Sequence, residues 1–250
     1  MLKKRLIPSL LYRENVLVKG KKFVSKRKIG SIIEAVKVYN LREVDELILL
    51  DVDKKYSEPD LNIISEVASE CFVPLAVGGG IKSLNMIYDV LRNGADKVCI
   101  NSHVIKNPNF IKEASKEFGS QCIVVSVDYI FHNKKNLIYV DSGKVRTNFE
   151  VINFLKMAED LGAGEFLLNS ISRDGMMVGY DYEFIRKVKK NIKIPLIVSG
   201  GAGSCEDIFK LFSYCKVDAA SASSIFHFTQ ITPKDVKVYL KKKNINVRIW

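Results

Sequence analysis

Short apolar, β-branched runs alternate along this chain with longer stretches in which apolar positions return every three or four residues. The first pattern predicts buried strands and the second amphipathic helices, and their alternation marks a parallel sheet built of βα units. Eight strands are expected, at Arg5 to Leu10, Leu47 to Asp51, Leu75 to Val77, Lys97 to Ile100, Ile123 to Asp128, Phe166 to Asn169, Leu196 to Ser199 and Ala219 to Ala222. Helices are expected at Ser31 to Leu41, Pro59 to Cys71, Ser83 to Asn93, Asn107 to Glu117, Asn148 to Leu161, Asp181 to Lys190, Ser204 to Tyr214 and Thr232 to Lys243. Several of these open on Ser, Asn, Asp or Thr, side chains that cap free N–H groups.

One phrase occurs twice. Pro74-Leu75-Ala76-Val77-Gly78-Gly79-Gly80-Ile81-Lys82-Ser83 returns half a chain later as Pro195-Leu196-Ile197-Val198-Ser199-Gly200-Gly201-Ala202-Gly203-Ser204. Each is an apolar run entering a glycine turn, where bare backbone N–H groups can approach a phosphate. Glu46 to Leu50 is likewise answered by Glu165 to Asn169, and Gly94 to Ser102 by Lys216 to Ser224. Strands one to four thus mirror strands five to eight. An open doubly wound sheet would also have room for eight strands, but it gives no reason for each half to close on the same small-residue strand. An α/β fold follows: one (β/α)8 TIM barrel of two similar half-barrels, spanning 1–250 as a single domain. Two glycine ends imply a small-molecule ligand with a phosphate at each end.

Two connections are longer than a barrel needs, and both follow strand C-termini, the active-site end of such folds. Tyr12 to Gly30 is polar and basic and reads as a loop, either a lid over an anionic ligand or a plain surface excursion. Ile130 to Thr147 contains Asn136 to Gly143, which reads as a small hairpin.

Composition narrows the picture. The chain has 250 residues, is 47% hydrophobic and carries a formal charge of +11. The cations are spread over helices and loops, apart from Lys19 to Lys28 and Lys241-Lys242-Lys243, and no nucleic-acid-binding pattern accompanies them; phosphorylated small molecules account for the bias equally well. Apolar runs are too short to span a bilayer, and the run after Lys3-Lys4-Arg5 is broken by Pro8, so neither a membrane span nor a signal peptide is expected. Five scattered cysteines without a CxxC pair read as reduced thiols of a cytoplasmic protein. Three histidines without metal spacing give no metal site and no cofactor.

Candidate chemistry collects at strand ends. Asp128 closes strand five at the expected mouth, placed for acid–base work or for capping a loop. Asp51 ends strand two, and Asp174-Gly175 follows strand six.

The combination resembles the cyclase subunit family of imidazole glycerol phosphate synthase, the HisF barrels, over nearly the whole chain. The resemblance rests on Lys4 to Pro8, Val18-Lys19-Gly20, Asp45-Glu46-Leu47, Val77 to Ile81, Gly94 to Val98, Asn101, Phe118 to Gln121, Gly162 to Glu165, Ser172 to Gly175, Gly179-Tyr180-Asp181, Ser199 to Gly203 and Phe226-His227-Phe228. A sister isomerase shares the barrel and both phosphate sites, but Phe118 to Gln121 and Ser172 to Asp181 favour the cyclase branch.

The resemblance implies a glutaminase (glutamine amidotransferase) subunit docked on the N-terminal face in a heterodimer, ammonia passing through the barrel, and a bisphosphorylated substrate at the mouth. It assigns Arg5, Glu46, Lys97 and Glu165 to a charged ammonia gate, for which a purely structural ion-pair ring is the alternative. Asp96 falls at a partner-facing position. Gly80, Asn101 and Ser102 match one phosphate site, and Gly175, Gly201, Ser223 and Ser224 the other. Lys19 matches a lid lysine, while Asp51, Asn169 and Asp174 match mouth positions, Asn169 replacing the family's usual threonine.

One position breaks the pattern. The family works with two aspartates, of which Asp128 is the second, yet where the first belongs this chain reads Pro8-Ser9-Leu10-Leu11. Superposing the halves sets Leu11 opposite Asp128 without reference to any family. A leucine transfers no proton, and loss of a positioned acid or base costs about 10²–10⁴-fold in rate. Ser9 shares the face of Leu11 one step deeper, and its hydroxyl is no equivalent base. Two functions compete: a cyclase with impaired or rewired acid–base chemistry, and a paralogue that keeps dock, gate and channel but passes ammonia on for amidination of a sugar or other metabolite; a non-catalytic regulatory or nucleic-acid-binding barrel, suggested by the charge alone, is a third.

Overall fold

Eight parallel strands close on themselves around an interior of alternate strand residues. The structure is a computed structural model that describes residues 3–52 and 58–249; the ends of the expected 1–250 domain and residues 53–57 lie outside the described residues. In chain order the elements are β1 (Arg5–Arg13), β2 (Val16–Lys21), β3 (Val24–Ser31), α1 (Ile32–Leu41), β4 (Leu47–Asp51), α2 (Leu61–Glu70), β5 (Leu75–Gly78), α3 (Leu84–Arg92), β6 (Lys97–Ile100), α4 (Ser102–Lys106) and α5 (Asn109–Phe118). The second half follows with β7 (Ile123–His132), β8 (Lys135–Val140), β9 (Val145–Glu150), α6 (Val151–Asp160), β10 (Glu165–Ser170), α7 (Tyr182–Asn191), β11 (Leu196–Ser199), α8 (Cys205–Cys215), β12 (Ala219–Ala222), α9 (Ser224–Phe228) and α10 (Pro233–Lys242). The barrel runs β1-β4-β5-β6-β7-β10-β11-β12 and back to β1, every neighbouring pair parallel. This is a (β/α)8 TIM barrel, and the order of elements in the two halves is the same.

All eight expected barrel strands are present. The stretch read as a polar loop, Tyr12 to Gly30, is instead an antiparallel ribbon, because Leu17 and Val18 are buried at 2% and 1% exposure and pull their backbone into pairing with β1 and β3. Its cations mask that short apolar core in the sequence. The second half has the matching ribbon, β8 and β9, hydrogen-bonded to the extended end of β7. Asn148 to Glu150 belong to β9, so the helix expected from Asn148 starts at Val151. The helices expected from Pro59 and Asn107 start at Leu61 and Asn109. Two five-residue helices, α4 and α9, were not legible as elements.

Serine and threonine caps set several helix starts. The side chains of Ser83 and Ser204 accept from the N–H three residues on, and Thr232 forms a reciprocal capping box with Asp235. Ser83 and Ser204 close the two copies of the glycine phrase, so each phrase encodes a strand, a turn and a helix start together.

Period-two alternation divides the core. Leu6 and Leu10 of β1 face the helices, while Ile7 lies inside the barrel with Ile48, Ala76, Cys99, Val124, Leu167, Ile197 and Ala219, one residue from each barrel strand. At the N-terminal face, aspartates tie adjacent strands: Asp45 Oδ2 accepts from the Leu6 N–H at 2.8 Å, Asp96 Oδ2 from Leu75 at 2.8 Å and Asp218 Oδ2 from Leu196 at 3.0 Å. Among the described residues, no helix is long and apolar enough to cross a membrane.

Candidate functional site

Below the apolar interior, four charged side chains close a ring. Arg5 Nη1 donates to Glu46 Oε2 at 2.8 Å and Arg5 Nη2 to Glu165 Oε1; Lys97 Nζ donates to Glu46 at 2.9 and 3.1 Å and to Glu165 Oε2 at 2.9 Å. Each carboxylate thus bridges both cations. Glu46 and Glu165 are almost fully buried. Burial alone pulls the pKa of both Lys97 and Arg5 down, but the attraction of the two carboxylates outweighs it and raises both above their usual values. The ring therefore holds four formal charges that sum to zero at neutral pH.

Above the ring sits the apolar interior, and then hydroxyls take over. Ser9, Ser126, Ser199, Ser221 and Asn169 line the bottom of a cavity of about 450 Å³ at the C-terminal mouth. Its wall includes Leu11, Lys19, Asp51, Gly80, Asn101, Ser102, Asp128 and Asp174. A smaller adjoining hollow is lined by Gly175, Gly201, Ser223 and Ser224, and shares Ser9, Lys19, Asp174, Ser199 and Ser221 with the first. The two glycine ends named from sequence therefore border two adjoining hollows that share five lining residues.

Backbone conformation explains the glycines. Gly79 and Gly80, like Gly200 and Gly201, all have positive φ, a region that side-chain-bearing residues rarely occupy. Gly175 is fixed by packing: a Cβ there would stand 2.2 Å from the Gly20 carbonyl of the β2–β3 ribbon. Each glycine end is flanked by a short helix after the next barrel strand, α4 after β6 and α9 after β12. Asn101 precedes α4 and Ser223 precedes α9, and neither side chain caps its helix.

Lys19 lies on β2 of the ribbon. It is 3% exposed, and its ammonium donates to Asp174 Oδ1 at 3.1 Å, which seats the ribbon on the connection after β10. Asp128 Oδ2 accepts from Asn101 Nδ2 at 3.0 Å. Among the described residues, Asn169 Oδ1, Ser221 Oγ and Ser224 Oγ are buried without a partner inside the chain, and all three belong to residues lining the mouth. Such atoms cost about 1–3 kcal/mol each unless a bound molecule satisfies them.

Asp96 lies at the opposite face, bonded to Leu75 N–H and otherwise exposed. The mouth also includes residues not picked out as site residues from the sequence, among them Phe23, Lys82, His103, Lys106, Ser126, Ser199 and Ser221. Lys82 lies within the first glycine phrase and His103 directly follows Asn101-Ser102, so position along the chain marked them; nothing marked Phe23. The five cysteines are all free thiols. Burial pushes the Cys99 thiol far up, leaving a neutral, unreactive group inside the barrel.

Fold and site together define a (β/α)8 barrel with two adjoining hollows at one mouth, edged by hydroxyls, carboxylates and glycines, and a closed ring of charges at the other. The histidine biosynthesis protein family matches residues 5–232. The chain is 41% identical over its whole length, and over the whole of the relative, to "Imidazole glycerol phosphate synthase subunit HisF" of Bacillus cereus (strain Q1). It is 40% identical, again over all of both chains, to the same subunit of Clostridium botulinum (strain Kyoto / Type A2), and 41% identical to that of Chlorobium phaeobacteroides (strain BS1). The chain belongs to this family, the HisF-type cyclase subunits of imidazole glycerol phosphate synthase.

Proposed function

We propose that this chain holds a bisphosphorylated small molecule across the C-terminal mouth and receives ammonia through the barrel from a glutaminase subunit docked on the N-terminal face, in the cytoplasm. The observation that carries the reading is the pair of glycine ends bordering adjoining hollows at the mouth, with the charged ring at the opposite end of the barrel interior. One phosphate would lie on Gly80, Asn101 and Ser102 and the other on Gly175, Gly201, Ser223 and Ser224, held by open N–H groups and hydroxyls. Asp51, Asn169 and Asp174 would orient the span between them, with Lys19 supplying positive charge. Asp128 would hold or move the proton that ammonia addition and ring closure require. The ring of Arg5, Glu46, Lys97 and Glu165 would act as the gate. A buried ring costs desolvation that apolar packing would avoid, so a gating task gives it a reason to persist.

The docking face has matching features. Leu41 and Phe72 are 83% and 81% exposed at this end, and the Asn40 side chain ties their loops by bonding to the Glu70 carbonyl and the Phe72 N–H. On the β11–β12–β1 side of the same face lie exposed Lys190, Lys193, Lys216, Lys241, Lys242 and Lys243. A partner with an apolar socket and an acidic rim suits this pattern. Asp96 would meet a cation.

Leu11 favours a second reading, in which the barrel conducts ammonia to a different acceptor for amidination of a sugar or another metabolite. Turnover of the bisphosphorylated cyclase substrate with ammonium salt and no partner separates the two. Activity within about tenfold of an ordinary cyclase removes the conduit reading, because about tenfold falls well short of the roughly 10²–10⁴-fold loss expected for a missing catalytic carboxylate. No turnover, with glutaminase activation retained, removes the first.

A further inference from the structure

A continuous path of hydrogen bonds leads from the tip of the β8–β9 ribbon to Asp128. The backbone N–H of Asp141 donates to Ser102 Oγ at 3.0 Å. Ser102 Oγ in turn donates to Asn101 Oδ1 at 3.2 Å. The Asn101 amide then uses its nitrogen twice, donating to the Ser126 carbonyl at 3.1 Å and to Asp128 Oδ2 at 3.0 Å. Both amide protons and the amide oxygen are engaged, so the plane of the Asn101 side chain is fixed from three directions. The ribbon tip is held in turn: Asp141, Ser142 and Gly143 all have positive φ, and Lys106 of α4 bonds the Asp141 carboxylate at 2.8 Å.

We propose that Ser102 and Asn101 are a positioning relay, through which occupancy of the first glycine end and the docked ribbon tip set the orientation and basicity of Asp128. The proposal rests on the reading of that end as an anion site and of Asp128 as the proton-handling group. Its chemistry follows from the hydroxyl. Ser102 has one proton to give, and it now goes to Asn101. A phosphate oxygen only accepts, so an anion bound at Ser102 competes with Asn101 for that proton. Losing it weakens the polarisation of the amide and frees its plane, and the amide becomes a poorer donor to Asp128. A carboxylate that loses a donor holds its proton more strongly. Arrival of the ligand would thereby raise the basicity of Asp128 at the moment a proton must be accepted.

The other half-barrel supplies an internal control. Ser223 occupies the place of Asn101 beside β1, where the strand presents Leu11, and Ser223 is too short to brace a neighbouring strand. Ser224, in the place of Ser102, has a hydroxyl without a partner in the chain. The relay is present where the mouth carries a carboxylate on the next strand and absent where it carries none.

The test is a pH titration of the Asp128 carboxyl by carbon-13 NMR on the full chain, assigned by loss of the signal in Asp128→Asn. Lys19, Asp51, Lys82, His103, Lys106 and Asp174 share the cavity and are left unchanged. Ser102→Ala, which removes no atom touching Asp128, should raise the titration midpoint by about half a unit, and Asn101→Ala by about one unit. The double variant should move it no further than Asn101→Ala alone, and Ser102→Thr should restore the parent value. Inorganic phosphate should raise the midpoint in the parent and raise it less in Asn101→Ala, where only the charge of the anion still acts. An unmoved midpoint in Ser102→Ala, or effects of the two substitutions that simply add, would overturn the relay. Turnover is a separate readout: if Asp128→Asn is as active as the parent while the midpoints move as stated, the relay stands and the proton-handling role of Asp128 falls.

Discussion

At the mouth, β7 presents Asp128 where β1 presents Leu11, although the two strands begin equivalent halves and run into equivalent ribbons. The neighbouring strands differ to match, since β6 leads to Asn101, which braces the carboxylate, and β12 leads to Ser223, which braces nothing. Backbone features have stayed alike in both halves: the paired positive-φ glycines, the serine caps after them and the short helices α4 and α9. A phosphate is bound largely by backbone N–H groups, which any sequence supplies once the turn is formed. Proton transfer needs a particular side chain, and it is there that the halves part. The floor is unequal too, with Arg5, Glu46 and Lys97 drawn from the first half and Glu165 alone from the second.

The comparison breaks most sharply at Leu11. Leu11→Asp puts a carboxylate on β1 opposite Asp128, and it should raise turnover of the cyclase substrate with ammonium by about 10²-fold or more, with Leu11→Asn giving no gain. A null result for Leu11→Asp would mean that the halves differ in more than this residue, and would move weight to the conduit reading.

Next in size is the floor. Glu165→Gln removes the second half's one contribution to the ring and leaves Arg5 and Lys97 sharing Glu46. With both cations partly exposed, a loss of about 3 kcal/mol in urea unfolding is expected. A loss under about 0.5 kcal/mol would show the ring to be dispensable for stability.

A comparable effect should appear only in acid. Burial, reinforced by Lys19 and Arg42, lowers the His227 pKa from 6.5 to about 4, while the matching first-half position is Ile105, which does not titrate. The unfolded chain therefore binds the proton first. The stabilisation from neutral His227 is complete above about pH 6.5 and is lost as pH falls toward 4, by up to about 3 kcal/mol. His227→Gln should flatten the stability–pH curve across that window, and an unchanged slope would assign the acid sensitivity elsewhere.

The smallest expected effect separates two aspartates with the same backbone role. Asp218 accepts from Leu196 and also pairs with Lys189 at 2.6 Å, whereas among the described residues Asp96 pairs with no cation. Asp96→Asn should cost about 1 kcal/mol of stability, and Asp218→Asn measurably more. If Asp96 faces a partner cation, the same substitution should also weaken glutaminase binding in calorimetry by about tenfold, a change of 1.4 kcal/mol. Unchanged affinity would leave Asp96 with the backbone role alone. Because Asp96 serves the backbone as well, Asp96→Asn is a cleaner probe of docking than a charge reversal, which would also disturb the Leu75 contact.

Much of this architecture was readable along the chain because it is encoded locally. Strands announce themselves by apolar runs that end in glycine, and the half-barrel repeat by the return of Gly79-Gly80 as Gly200-Gly201. The polar ribbon was misread because Leu17 and Val18 are outnumbered by the cations around them, and hydrophobic patterning is blind to a strand that pairs only with its neighbours. The helices α4 and α9 were missed for a related reason, five residues being too few to show a 3.6-residue period. The site residues were legible as types at strand ends, yet not as partners.

The sequence by itself determined the number of barrel strands, the two equivalent halves, the two glycine ends and the absence of a carboxylate at Leu11. Each is a property of residue order, and no other part of the molecule has to be in place for it to hold. Only the tertiary structure decided that Lys19 is buried against Asp174, that two glutamates from opposite halves share the same two cations, and that Asn101 joins Ser102 to Asp128. The first two pairings depend on the half-barrels meeting at β12–β1 and β6–β7, and the third on the stagger of β6 against β7. Charge and hydrogen bonding then act over about 3 Å, a distance that the order of residues along a chain does not specify.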